Sequence, residues 1–165
     1  MKGMINIMKK TRFIAHAAII AAVYAAITVL VAPLSYGTVQ IRFSEALTIL
    51  PAFTPAAIPG LFIGCLIANI YTGSIVDIIF GSLATLLAAF VSYKLRSSKW
   101  LVPLPPVLFN ALIVGYYLTL QYGGVIWFNM LSVGAGQLIA CYIIPVYVLI
   151  NLDKAKHKIS PFVQY

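Results

Sequence analysis

The chain has 165 residues, of which 62% are hydrophobic and only 8% charged, whereas a soluble domain carries about 25% charged residues. That deficit excludes a water-facing surface over most of the chain, so its solvent must be lipid. The net charge of +8 would point to nucleic acid in a soluble protein, but here the cations flank apolar runs, and nucleic acid is excluded as a partner.

Lys2, Lys9, Lys10 and Arg12 open the chain and lead into an apolar run, residues 13–32, that ends at Pro33. It is long enough to span a bilayer. A basic start followed by an apolar run also describes a signal peptide, but this run is too long and lacks a clean cleavage context, so a retained helix is expected. Ala17, Ala21 and Ala25, with Ala18, Ala22 and Ala26 beside them, give this helix a small-residue face of the kind that lets helix backbones meet closely. On a first helix at the rim of a bundle, that face suits contact with another subunit. His16 beside it is expected to be a hydrogen-bonded interface residue.

Residues 44–71 are apolar but interrupted by Pro51, Pro55 and Pro59. Gly60 and Gly64 repeat the small-residue spacing there. Residues 75–93 form a second full-length span, and residues 101–120 a third, entered through Pro103, Pro105 and Pro106, where proline suits a first helical turn. After the turn Gln121-Tyr122-Gly123-Gly124, residues 125–152 form the fourth and longest span, with a kink expected at Pro145. Lys94, Arg96 and Lys99 lie between spans two and three, and Lys154, Lys156 and Lys158 follow the last.

Clusters of Lys and Arg beside spans mark cytoplasmic ends. Placing the first two clusters on one side requires an even number of crossings between Arg12 and Lys94. Two are supplied by residues 13–32 and 75–93, so the proline-broken interval contributes two or none. Two short helices hinged around Ala52 to Pro55 give six transmembrane helices, an all-α polytopic fold in one domain covering 1–165, with 1–12 and 153–165 cytoplasmic. A re-entrant loop is the competing reading. Short, broken segments at membrane depth are tolerated where they are buried in protein or line a cavity.

A charge at mid-membrane costs about 2.5–3.5 kcal/mol on insertion scales. Two of the three acids, Glu45 and Asp77, begin apolar helices on the outer side. Arg42, the one cation outside the three clusters, precedes Glu45 by three residues, within reach of an ion pair. Both acids also fit a plainer role: Glu45 as a first-turn acid favoured by the helix dipole, and Asp77 as the last residue of a Ser74-x-x-Asp77 cap. Ser74, Asp77, Gly81, Thr85, Ala88 and Ser92 recur every three or four residues and so share a face that must meet protein. Asn110, Tyr117 and Gln121 form a second polar stripe, and Asn129, Ser132 and Gly136 a third. Such stripes serve either a polar solute site or hydrogen bonds between helices. Trp127 and the tyrosines near span ends suit the interfacial belt.

Cys65 and Cys141 lie in apolar runs with no CxxC pair and no metal-ligand spacing, so small packing residues are expected and no metal. No P-loop, zincin or hydrolase motif is present. The chain is not expected to be an enzyme, and it carries no cofactor of its own.

The build, and above all the segment Gln40-x-Arg42-x-Ser44-Glu45-Ala46-Leu47, resembles the QueT family of substrate-binding S-components of energy-coupling factor (ECF) transporters, associated with queuosine precursors. The resemblance runs from about Arg12 to Leu152. It implies a bacterial plasma-membrane protein that binds its solute near the outer side. It implies docking through the alanine face of helix 1 onto a membrane coupling subunit that sits on two cytosolic ATPases, which use the ATP. A 7-deazaguanine offers two adjacent donors that one carboxylate accepts bidentately, and Glu45 is the first choice for it. Asp77 suits the ammonium of an aminomethyl form. Asn110, Gln121 and Asn129 would complete the edge contacts, and Trp127 or Tyr71 would stack on the ring. Gln40 and Arg42 stand beside Glu45, with Arg42 orienting it. An S-component for another vitamin, or a stand-alone carrier using Glu45, Asp77 and His16, remain the other readings.

Overall fold

The computed structural model describes residues 2–32, 42–98, 100–143 and 145. Six helices cover most of them: α1 Lys2–Leu30, α2 Phe43–Ala52, α3 Ala57–Thr72, α4 Asp77–Lys94, α5 Leu104–Tyr122 and α6 Ile126–Ile143. Within α1 the stretch Met8–Leu30, and α4, α5 and α6 in full, are long and apolar enough to cross a membrane. They correspond to the four full-length runs expected from hydropathy. Pro105 and Pro106 fall in the first turn of α5, where a missing N–H is harmless. The surroundings of Pro145, with its expected kink, and residues 153–165 lie outside the described residues.

The proline-broken interval doubles back along α1. The Thr28 and Ser44 hydroxyls lie 2.6 Å apart, so α2 starts level with the far end of α1. It ends at a turn, Thr54 to Ala56, that shares a cavity wall with Lys9, Phe13 and His16. α3 then runs back beside α1, with Gly60 against Ala17 and Ile20, and Gly64 against Ala21 and Tyr24. It ends in Gly73, whose φ of 73° is the left-handed closure that glycine adopts freely. The connection from α4 to α5 joins the same end as Lys9, since Val102 packs on Ile49, Ala52 and Phe53 of the α2 region. Thus the basic end of α1 and the basic segment Lys94–Arg96 share one end of the bundle with the α2–α3 turn.

α2 departs from the expected short α-helix: it is a 3-10 helix of ten residues. Three residues per turn bring Arg42, Glu45, Thr48 and Pro51 onto one line, whereas α-helical winding would spread them around half the helix. Four of the five buried residues inside it are Ser44, Glu45, Thr48 and Pro51. At about 2 Å rise per residue it is about 20 Å long, and α3 at 16 residues is about 24 Å, both below a hydrocarbon core of about 30 Å.

The alanine face of α1 divides in two, which corrects the expectation of a single outward docking surface. Ala17, Ala21 and Ala25 are buried within the chain, and only Ala18, Ala22 and Ala26 are exposed. The cause is the matching glycines of α3. A Cβ on Gly60 would stand 2.8 Å from the Ala17 carbonyl oxygen, and one on Gly64 equally close to that of Ala21. Small residues on both helices bring the backbones into contact. Elsewhere large apolar side chains point outward, among them Ile19, Ile70, Leu87, Leu112 and Leu131, as a lipid-facing surface requires. Along α4, Asp77, Gly81, Thr85, Ala88 and Ser92 are all buried, so the polar stripe meets protein as its spacing demands.

Candidate functional site

All six helices contribute polar groups to one buried cluster between the Thr28 end of the bundle and its middle. α1 supplies Tyr24 and Thr28; Arg42, just ahead of α2, joins Ser44, Glu45 and Thr48 of α2; and α3 supplies Cys65 and Asn69. α4 supplies Asp77, Ser82 and Thr85, α5 Asn110 and Tyr117, and α6 Gln137 and Cys141. All of these are buried. Two of the chain's three acids and the one cation outside the basic clusters therefore lie in its interior. Burying charge costs stability unless it is paired and hydrogen-bonded; here Arg42 lies against Asp77 and both carboxylates accept hydrogen bonds.

Glu45 is fully buried and anchors one half. Tyr24 donates its hydroxyl to Oε1 at 2.5 Å, and the Asn110 amide reaches Oε2 at 3.4 Å. Each carboxylate oxygen thus receives a donor from a different neighbouring helix. The backbone of Glu45 is held as well, its N–H donating to the Arg42 carbonyl at 3.0 Å and its carbonyl accepting the Thr48 hydroxyl at 2.6 Å.

Asp77 anchors the other half. Its Oδ1 accepts the Tyr117 hydroxyl and lies 3.9 Å from Nη2 of Arg42. Its backbone N–H donates to Ser74 Oγ at 3.3 Å, so the capping role read from the sequence is present, and the carboxylate is nonetheless turned into the cluster. Arg42, expected to orient Glu45, has its guanidinium 3.9 Å from Asp77, while its backbone carbonyl accepts the Glu45 N–H. Asn69 ties α3 to α4, donating to the Asp77 carbonyl at 2.8 Å. The Thr85 hydroxyl lies 3.3 Å from Cys65 Sγ, so that thiol packs as a small polar filler.

Three of the long helices loosen to π geometry where they carry cluster residues: Asp77–Gly81, Asn110–Val114 and Ile139–Ile143. Single π turns in α-helices occur frequently at functional sites. The first two begin on Asp77 and Asn110, and the third contains Cys141.

Of the residues expected to form the site, the structure brings Arg42, Glu45, Asp77 and Asn110 together. It does not bring the other described ones there. Tyr71 and Trp127 point outward, 68% and 71% exposed, at helix ends where aromatic residues suit an interface. Asn129 donates to Thr119 Oγ1 at 2.9 Å and to the Gly123 carbonyl at 3.1 Å, closing the turn between α5 and α6. Gln121 is exposed and lines an apolar groove of about 710 Å³ between α4 and α5, with Phe80, Leu83, Leu112 and Tyr116. Tyr117 joins the two regions, its ring on the groove and its hydroxyl in the cluster. Gln40 lies outside the described residues.

Tyr24, Asn69 and Gln137 were missed in the sequence. For Asn69 a signal was available, as a strongly polar residue inside an apolar helix. Tyr24 falls three residues after Ala21 and four before Thr28, on the face that α1 buries.

The cluster holds acceptors and donors in a desolvated setting, with two carboxylates that can recognise paired donors or a cation. Among the described residues no three His, Cys, Asp or Glu side chains converge as metal ligands would.

The model of a family described as QueT transporter matches residues 14–154. The "Queuosine precursor transporter QueT" of Lactococcus lactis subsp. cremoris (strain MG1363) is 39% identical over 79 residues, which cover 47% of this chain and 47% of that protein. The chain thus spans about half the length of that curated relative. No solved structure matches it.

Proposed function

The chain belongs to the QueT transporter family, and we propose that it is the substrate-binding subunit of an ATP-driven ECF-type importer for a queuosine precursor. The observation that carries this reading is the state of Glu45. Its two oxygens each hold a donor, from Tyr24 and from Asn110, in a buried site. A 7-deazaguanine base presents two adjacent donors, its N1–H and its exocyclic amine, that satisfy the same two acceptors on replacing Tyr24 and Asn110. Asp77, beside Arg42 and Tyr117, is the counter-ion for the ammonium of an aminomethyl derivative.

The antiparallel run of α2 and the return of α3 support two short crossings, and so six in all, with both termini on the cytoplasmic side. α2 is mostly enclosed by its neighbours, whereas α3 turns Ile63, Ile67 and Ile70 outward, an apolar face suited to lipid. In this reading the outward stripe Ala18, Ala22 and Ala26 meets the coupling subunit, while Ala17, Ala21 and Ala25 hold α1 to α3. The work of ATP is done by two cytosolic ATPases on the partner side.

Uptake of a labelled 7-deazaguanine into proteoliposomes tests the assignment. The chain alone should bind the base without accumulating it, and adding the coupling subunit and ATPases with ATP should start accumulation. Accumulation by the chain alone, driven by an ion gradient, would make it a self-sufficient carrier. Mass spectrometry of the small molecules that copurify with the chain would identify the solute.

A further inference from the structure

Gln137 of α6 belongs to the buried cluster and is 3% exposed. Its side-chain oxygen accepts the Cys141 thiol at 3.4 Å. A glutamine amide carries two N–H donors besides that oxygen, and among the described residues neither has a hydrogen-bond partner. The donors around Glu45 differ: Tyr24, Asn110 and Thr48 all donate to its side chain or backbone. A buried donor without an acceptor costs stability, so an amide held in this way suits an acceptor that arrives with a ligand.

The helix geometry brings this amide beside Glu45. The hydroxyl of Tyr142, near the end of α6, donates to the Trp100 carbonyl at 3.0 Å, so α6 ends at the basic end of the bundle. α2 runs the same way. The two helices are tied at one level, where Cys141 Sγ lies 3.7 Å from both the Thr48 hydroxyl and the Glu45 carbonyl. Glu45 precedes Thr48 by three residues of 3-10 helix, and Gln137 precedes Cys141 by four residues of α6. Each step rises about 6 Å, which sets Gln137 level with Glu45. α6 also packs on the π turn that begins at Asn110, the residue on Glu45 Oε2.

We infer that Gln137 donates to the 6-oxo oxygen of the solute and so selects a 6-oxo-2-amino base, an inference that rests on the proposed role of Glu45. The edge of a 7-deazaguanine runs acceptor, donor, donor: the 6-oxo oxygen, N1–H and the exocyclic amine. Glu45 takes the two donors. The oxygen next to N1–H then needs a donor of its own in a site without water, and Gln137 holds an unused one at that level. Carboxylate and amide together read all three positions, and a base without the oxo group leaves the amide unpaired.

The test is equilibrium titration of the purified full chain with 7-deazaguanine and with 6-thio-7-deazaguanine. The thio base keeps N1–H and the exocyclic amine but offers only a weak acceptor at position 6. The wild type should prefer the oxo base about tenfold, the worth of one buried hydrogen bond. Gln137→Met and Gln137→Leu fill the space without a donor. Each should weaken the oxo base about tenfold, leave the thio base within about twofold and so erase the preference. Circular dichroism shows which variants fold, and the wild type tests the inference without them: equal affinity for the two bases would overturn it. Equal weakening of both bases in a folded variant would also overturn it, making Gln137 a packing residue and leaving the role of Glu45 intact. Binding of neither base by the wild type would overturn the role of Glu45 itself, and that of Gln137 with it.

Discussion

The seam between α1 and α3 and the cluster around α2 share helix α1 but use it in opposite ways. At the seam, glycine and alanine remove side chains until backbones touch, and Gly60 and Gly64 have no room even for a methyl group. At the cluster, tyrosine, arginine, asparagine and two carboxylates fill the space between helices. Close packing of small residues is what a bilayer rewards, since burial of apolar groups from lipid gains little. Buried charge is what a bilayer penalises. On the proposed function the chain carries stability in one region and recognition in the other, with Tyr24 of α1 at the boundary: its Cβ side against Gly64 and its hydroxyl on Glu45.

Substitutions in the two regions should separate those roles. The largest effect is expected at the seam. Gly60→Val places a side chain against the Ala17 carbonyl and Ile20, away from the cluster, and should cost about 3 kcal/mol. Thermal unfolding should show it, while the folded fraction keeps its affinity for a 7-deazaguanine. A loss of affinity matching the loss of stability would mean that the regions are not separable.

Asp77→Asn should act in the other direction. It keeps shape but removes the charge, so the aminomethyl base should bind about tenfold more weakly, a change of about 1.4 kcal/mol, while a neutral 7-deazaguanine is affected much less. Titrations with both ligands measure the difference, and equal weakening would sink the counter-ion role. Tyr117→Phe leaves the ring on the α4–α5 groove and deletes only the hydroxyl on Asp77. A stability loss of about 1 kcal/mol is expected, read from the thermal midpoint. Trp127→Ala and Asn129→Ala should be the mildest for binding, each within about twofold, because neither reaches the cluster. A larger loss in either would return the outer turn to the site.

Most of the fold was legible because lipid imposes a simple rule on sequence. Four long apolar runs became four long helices, and the small and polar stripe from Asp77 to Ser92 became the buried face of α4. Charge parity required the proline-broken interval to cross twice or not at all, and α2 and α3 do double back. The winding of α2 was not anticipated, although Arg42, Glu45, Thr48 and Pro51 recur every three residues, the period of a 3-10 helix. The site was half legible. Glu45, Asp77, Arg42 and Asn110 stood out because their chemistry does not belong in lipid. Tyr24 did not, since a tyrosine in an alanine-rich span reads the same whether its hydroxyl meets a carboxylate or a headgroup. Trp127 and Tyr71 were drawn in by ring chemistry alone, and the helix ends they occupy turn them outward. The alanine face was read as one surface because α1 shows both stripes side by side, and only the glycines of α3 decide which stripe is covered.

Glu45 is the group proposed to recognise the solute. The direct measurement is an equilibrium titration of purified wild type and Glu45→Gln with a 7-deazaguanine, alongside circular dichroism to confirm that both are folded. Glu45→Gln is expected to weaken binding about 100-fold or more, equivalent to about 2.7 kcal/mol, with the helical signal unchanged. Equal affinity in a folded Glu45→Gln protein would contradict the assignment and move the binding site away from the buried cluster.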